Sequence, residues 1–91
     1  MAYTKPVKKV AFFDFDPNLQ SLLKRDLRDK PVEMHFRGPQ SVKHLIESLG
    51  IPHTEIGSIN VNGRAIGLDY IVHDGDRIEV RPVAPSSRAA E

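Results

Sequence analysis

The clearest alternation of apolar and polar positions lies in residues 39–63, PQSVKHLIESLGIPHTEIGSINVNG. Val42, Leu45, Ile46 and Leu49 recur at i, i+3, i+4 and i+7, which gathers four apolar side chains on one face of a 3.6-residue helix. Ser41 is placed to accept a hydrogen bond from an early helical N–H. Gly50 can take the left-handed conformation after the last turn, and Pro52 blocks any extension. The spacing therefore predicts a helix over 41–49, about two and a half turns long. Beyond it, Ile59 and Val61 alternate with Ser58, Asn60 and Asn62, the period of a half-buried strand. Asn62-Gly63 is the dipeptide that a two-residue hairpin turn demands, with Ala65 and Ile66 on the return strand.

The same patterning assigns the rest of the chain. Val10 to Phe15, VAFFDF, reads as a strand whose two faces both carry large apolar groups: Val10 and Phe12 on one, Ala11, Phe13 and Phe15 on the other. One face packs on the helix; the other is covered by the following segment or stands open to a partner. Asp16-Pro17 resembles a helix entry, and Leu19, Leu22, Leu23 and Leu27 at helical spacing predict a short amphipathic helix over 17–28. After Pro31, Val32, Met34 and Phe36 alternate with Glu33, His35 and Arg37, a strand expected to run antiparallel to the first. A turn is expected near Gly67, and Leu68, Tyr70, Ile71 and Val72 supply apolar bulk to a connection. His73-Asp74-Gly75-Asp76 forms a further turn. The last strand has Ile78 and Val80 inward, with Arg77, Glu79 and Arg81 outward, until Pro82.

The order strand, short helix, strand, helix, hairpin, turn, strand is that of an α+β chain. With the first and last strands paired in the middle of a mixed sheet of four or five strands, and one main helix laid across it, this is the ubiquitin-like β-grasp arrangement. Ninety-one residues suffice for a single small core. One domain is expected over 1–83, with a loose lead-in before the first strand and a fraying tail at 84–91. Hydrophobic residues at 40%, charged residues at 27% and a net charge of +1 are ordinary globular values. The absence of cysteine removes disulfides and thiolate metal sites, and no apolar run approaches the length of a bilayer span. The expected location is the cytoplasm, with no membrane partner.

The stretch SVKHLIESLGIPHTEIGSINVNG, followed by DGDRIEVRP at 74–82, resembles the ubiquitin-like domain that precedes the Mut-seven C-terminal nuclease domain, a family grouped with the MoaD and ThiS sulfur carriers. The likeness is most specific at Gly50-Ile51-Pro52-His53-Thr54-Glu55 and Val61-Asn62-Gly63. It implies a non-catalytic module that serves a PIN-like ribonuclease in RNA processing or decay, either as a stand-alone relative or within a longer protein. A sulfur-carrier role is the alternative that the shared fold suggests. In those carriers the chemistry sits on a terminal diglycine, because only glycine lets backbone pass a narrow channel. Here Arg81-Pro82-Val83-Ala84 leads into Pro85-Ser86, and no two glycines are adjacent anywhere.

No catalytic constellation and no cofactor site is legible. His35, His44, His53 and His73 fall on a strand, a helix, a loop and a turn without paired ligand spacing, so no metal site is expected. His73-Asp74-Gly75-Asp76 lacks the alternating acids and closing glutamate of a calcium loop. Residues 1–37 hold eight Lys or Arg against five acids, whereas 38–91 hold five against seven. Lys8, Lys9, Lys24, Arg25 and Arg28 are thus candidates for weak, salt-sensitive contact with RNA. A charged sheet face assembled from His35, Arg37, Arg77, Glu79 and Arg81 is the candidate protein-docking surface.

Overall fold

The computed structural model describes residues 8–83, which build a five-stranded sheet in the order β2-β1-β5-β3-β4. The strands are β1 (Lys8–Phe15), β2 (Val32–Arg37), β3 (Ile56–Val61), β4 (Arg64–Ile66) and β5 (Arg77–Pro82). β1 pairs antiparallel with β2 and parallel with β5, so the first and last strands lie side by side in the interior of the sheet. β3 runs antiparallel to both β5 and β4. This is the expected β-grasp arrangement. The loose lead-in lies mostly, and the fraying tail wholly, outside the described residues.

Helix α2 (Val42–Ser48) takes its boundaries from the residues that the sequence nominates. The Ser41 hydroxyl accepts from the His44 N–H at 3.1 Å, and Leu49 closes the last turn. Its other early N–H groups are met by the connection between β4 and β5. Tyr70 O accepts from the Val42 N–H at 2.8 Å, and Leu68 O from the Lys43 N–H at 3.2 Å. A helix start that would otherwise leave donors unpaired is thereby satisfied. Val42, Leu45 and Ile46 are buried and Leu49 half-buried, against Ala11, Phe13 and Phe15 of β1 and Ile78 and Val80 of β5 in one core. Burying a side chain such as Phe13 fully contributes roughly 2–3 kcal/mol.

The segment after β1 differs from the helix expected over 17–28. Only Pro17–Gln20 is α-helical (α1), followed by a separate 3-10 turn at Arg25–Leu27. The leucine spacing survives in part: Leu19 and Leu23 are buried, but Leu22 is exposed. Side chains take the place of the helical ladder. The Arg28 guanidinium donates to Leu23 O and Ser21 O, both at 3.0 Å, and Gln20 bridges Phe15 O and the Asp29 N–H. Asp29 turns the chain with a φ of 66°. These bonds offer the backbone partners that do not require a continuous helix.

The hairpin turn forms as the sequence asks, with Asn62 and Gly63 at φ of 50° and 85°. β3 carries an irregularity between Ile56 and Ser58, where Gly57 lies so close to Pro82 that an added Cβ would collide with its carbonyl oxygen. That glycine lets the last strand close on β3.

Candidate interaction surface

Because Ala11, Phe13 and Phe15 point into the core, Lys8, Val10, Phe12 and Asp14 project from the opposite, outer face of β1. The pairing register then arranges the face in rows across the sheet. Arg37 stands opposite Lys8, His35 opposite Val10, and Phe12 between Glu33 and Arg77. Asp14 stands beside Glu79, which in turn faces Asn60 of β3, while Arg81 lies opposite Ser58. Val10 and Phe12 are half-buried and the charged members exposed. The Arg77 guanidinium lies 5.8 Å from the centre of the Phe12 ring, a cation–π geometry that covers one side of the aromatic group.

This places all five expected docking residues on one face but does not gather them into one cluster. β1 separates His35 and Arg37 on β2 from Arg77, Glu79 and Arg81 on β5. Arg37 lies level with Lys8, and Arg81 one residue beyond the paired Phe15 and Val80, so these two arginines are about 26 Å apart along the strand direction. Phe12, which joins the two groups, is the member that charge-based reading leaves out. Its signal was the apolar parity on both faces of VAFFDF.

The five basic residues considered for RNA contact are also dispersed. Lys8 projects from the outer face at the start of β1, while Lys9 points to the other side, its Nζ 6.0 Å from the Phe36 ring. Lys24 and Arg25 stand in the segment leaving the far end of β1. Arg28 is committed to carbonyl oxygens.

Two shallow depressions mark the acidic end of the face. One of about 220 Å³ includes Asp14, Asp16, Glu79 and Arg81; the other, about 320 Å³, includes Asp14, Asn62, Arg77 and Glu79. No group of three or more His, Asp or Glu side chains among the described residues is arranged to hold a metal ion. The histidines have local partners instead: His35 donates to Glu33 at 2.7 Å and His53 to Glu47 at 2.7 Å. That second bond holds the Glu47 carboxyl below its ordinary range, with Lys43 adding a weaker pull.

The face is held in position by a polar knot behind its edge. Asp76, 6% exposed, accepts the Tyr70 hydroxyl and the His73 N–H on Oδ2, both at 2.8 Å, and an Asn62 amide N–H on Oδ1 at 3.3 Å. Asn62 in turn accepts from the Arg77 N–H at 3.1 Å. With its single proton given to Asp76, the Tyr70 oxygen receives the His73 Nδ1–H at 3.0 Å. Burial, the hydrogen bond to Asp76 and the carboxylate's charge together push the Tyr70 hydroxyl up to about 12. Within the same turn, Asp74 accepts from the Val10 N–H at 2.8 Å, and the Gly75 N–H donates to Val10 O at 2.7 Å. The sequence marked His73–Asp76 as a turn, and so it is. That its second aspartate is a buried acceptor depends on Tyr70 and Asn62, which only the tertiary fold brings near.

Comparison with known families decides the kinship. The Mut7-C ubiquitin family matches residues 8–88, nearly the whole chain. The chain belongs to the Mut7-C ubiquitin family. Both segments that carried the resemblance, 41–63 and 74–82, fall within the match. They supply α2, β3, the turn that follows it and β5 of this Mut7-C ubiquitin domain. A search of curated proteins found no match. No helix among the described residues is long and apolar enough to cross a membrane.

Proposed function

We propose that this Mut7-C ubiquitin domain is a non-catalytic interaction module. It acts in the cytoplasm and docks a protein partner, a PIN-like ribonuclease engaged in RNA processing or decay. Family membership supports the choice of partner. The observation that carries the docking role is Phe12: a large aromatic side chain set among exposed charges on the outer face, where core packing gives no reason for it. Recognition there joins apolar contact at Val10 and Phe12 with charge matching at the cations Lys8, Arg37 and Arg77 and the anions Asp14 and Glu79. Arg81 and His35 form the rim.

The test is a titration of isotopically labelled chain with a purified Mut7-C ribonuclease domain, followed by backbone amide NMR shifts. Shifts centred on Val10, Phe12 and Arg77 are expected, and Phe12→Ser weakens binding at least about tenfold while the spectrum stays that of a folded protein. Saturating ribonuclease that leaves every outer-face amide in place removes the proposal.

A further inference from the structure

The outer face bears two unfavourable neighbours of opposite sign. Lys8 stands directly across from Arg37, and Asp14 directly beside Glu79. Like charges in adjacent cross-strand positions repel. No salt bridge within the described residues relieves either pair; the contacts between basic and acidic side chains are Glu33 with His35, Glu47 with Lys43 and His53, and Asp76 with His73. Between the two pairs lie the half-buried Val10 and Phe12. Along β1 the outer positions therefore read basic, apolar, apolar, acidic, and this series is symmetric about Ala11. Lys8 and Asp14 are each three residues from it, Val10 and Phe12 each one.

We propose that this face binds a second copy of the chain, packed sheet to sheet about a two-fold axis that passes over β1 at Ala11. The occupant follows from charge complementarity. A half-turn about an axis parallel to the sheet and perpendicular to the strands carries residue 8 onto the level of residue 14, and residue 10 onto that of residue 12. Lys8 of each copy then meets Asp14 of the other, with Arg37 beside the first and Glu79 beside the second, and Val10 packs on Phe12 twice. On β2 the same operation brings Glu33 to the level of His35. An isologous contact of this kind is self-complementary by symmetry and uses each charge pair twice. Its apolar centre is small, so the dimer is weak and salt-sensitive. The inference rests on the outer face being a docking surface and names one occupant of it; the copy and the ribonuclease compete for Phe12.

Analytical ultracentrifugation of the full chain tests it, from about 20 μM to about 1 mM, a range that brackets weak self-association. Dimer is expected at low salt, its dissociation constant rising about tenfold on going to about 0.5 M salt. Lys8→Glu and Asp14→Lys each place like charges at both contacts of a homodimer, so each variant alone sediments as a monomer. Their equimolar mixture regains the dimer. The two substituted positions meet each other with their charges exchanged, and the second contact keeps the native Lys8 and Asp14. Circular dichroism confirms that both variants are folded. A wild-type chain that stays monomeric overturns the proposal. So do single variants that dimerise like the wild type, and a mixture that associates no better than its components. A monomeric chain whose Phe12 amide still shifts with the ribonuclease loses the second-copy inference alone; if those shifts are absent too, the docking reading falls with it.

Discussion

At the scale of single residues, Asp76 governs more of the structure than its position in a turn suggests. One carboxylate holds the Tyr70 hydroxyl, the His73 backbone and the Asn62 side chain, and so ties the β4–β5 connection to the hairpin turn. Removing it leaves three part-buried donors without their acceptor, so Asp76→Ala is expected to lower unfolding free energy by about 2 kcal/mol in denaturant titration, and Tyr70→Phe by about 1 kcal/mol. The raised Tyr70 hydroxyl fixes a pH dependence. A group that gives up its proton less readily when folded adds stability that is complete below its unfolded value near 10, and that is lost as pH rises through about 12. Stability is therefore expected to fall over that interval, and less steeply in Tyr70→Phe. Ultraviolet absorbance should show Tyr70 ionising at about 12, above the ordinary phenol range. Glu47 acts in the opposite sense: the His53 bond lowers its carboxyl, so its contribution is present above the ordinary value of 4.5 and fades as pH falls below it.

At the scale of elements, the limiting contact is the approach of β3 to the end of β5. Gly57 faces the Pro82 carbonyl with no room for a side chain. Gly57→Ala must push the strand end away, and a loss of about 2 kcal/mol is expected from thermal or denaturant unfolding. Gly63→Ala meets no neighbour but keeps a φ of 85°, so its cost comes from backbone conformation alone, about 1 kcal/mol. Elements whose stability is local were legible in the sequence. Ser41, Gly50 and Pro52 bound α2, Asn62-Gly63 makes the hairpin, and strict alternation gives β2 and β5. The 17–28 segment was not. Its leucine spacing suits a helix, yet the outcome was decided by Arg28 and Gln20 reaching across the loop to backbone groups. Periodicity registers burial, and a side chain that competes for backbone hydrogen bonds leaves no periodic trace. The surface divides likewise: outward positions followed from parity, but β1 lying between β2 and β5 disperses the charges into a basic end, an aromatic middle and an acidic end.

At the scale of the whole molecule, the sheet is completed only when residues more than sixty positions apart in the chain come together. Phe12 to Phe15 pair with Arg77 to Val80, and β5 lies between the β1–β2 pair and the β3–β4 hairpin, so that it joins them into one sheet. Closing such a loop costs entropy before its contacts reward it, so folding is expected to be slower than for a helical bundle of equal length. A chain shortened to end at residue 76 should show no cooperative unfolding transition by circular dichroism.

The parallel seam between β1 and β5 has a mechanical side. Tension applied at Lys8 and Pro82 pulls the two strands past each other along their length, so the hydrogen bonds that join them bear the load together instead of opening one after another. In a force spectrometer the chain held at those two points should rupture at markedly higher force than when held across the β3–β4 hairpin at Ile59 and Ile66, where the bonds unzip in sequence. Stretched from those two points, the domain would therefore hold until the seam as a whole lets go.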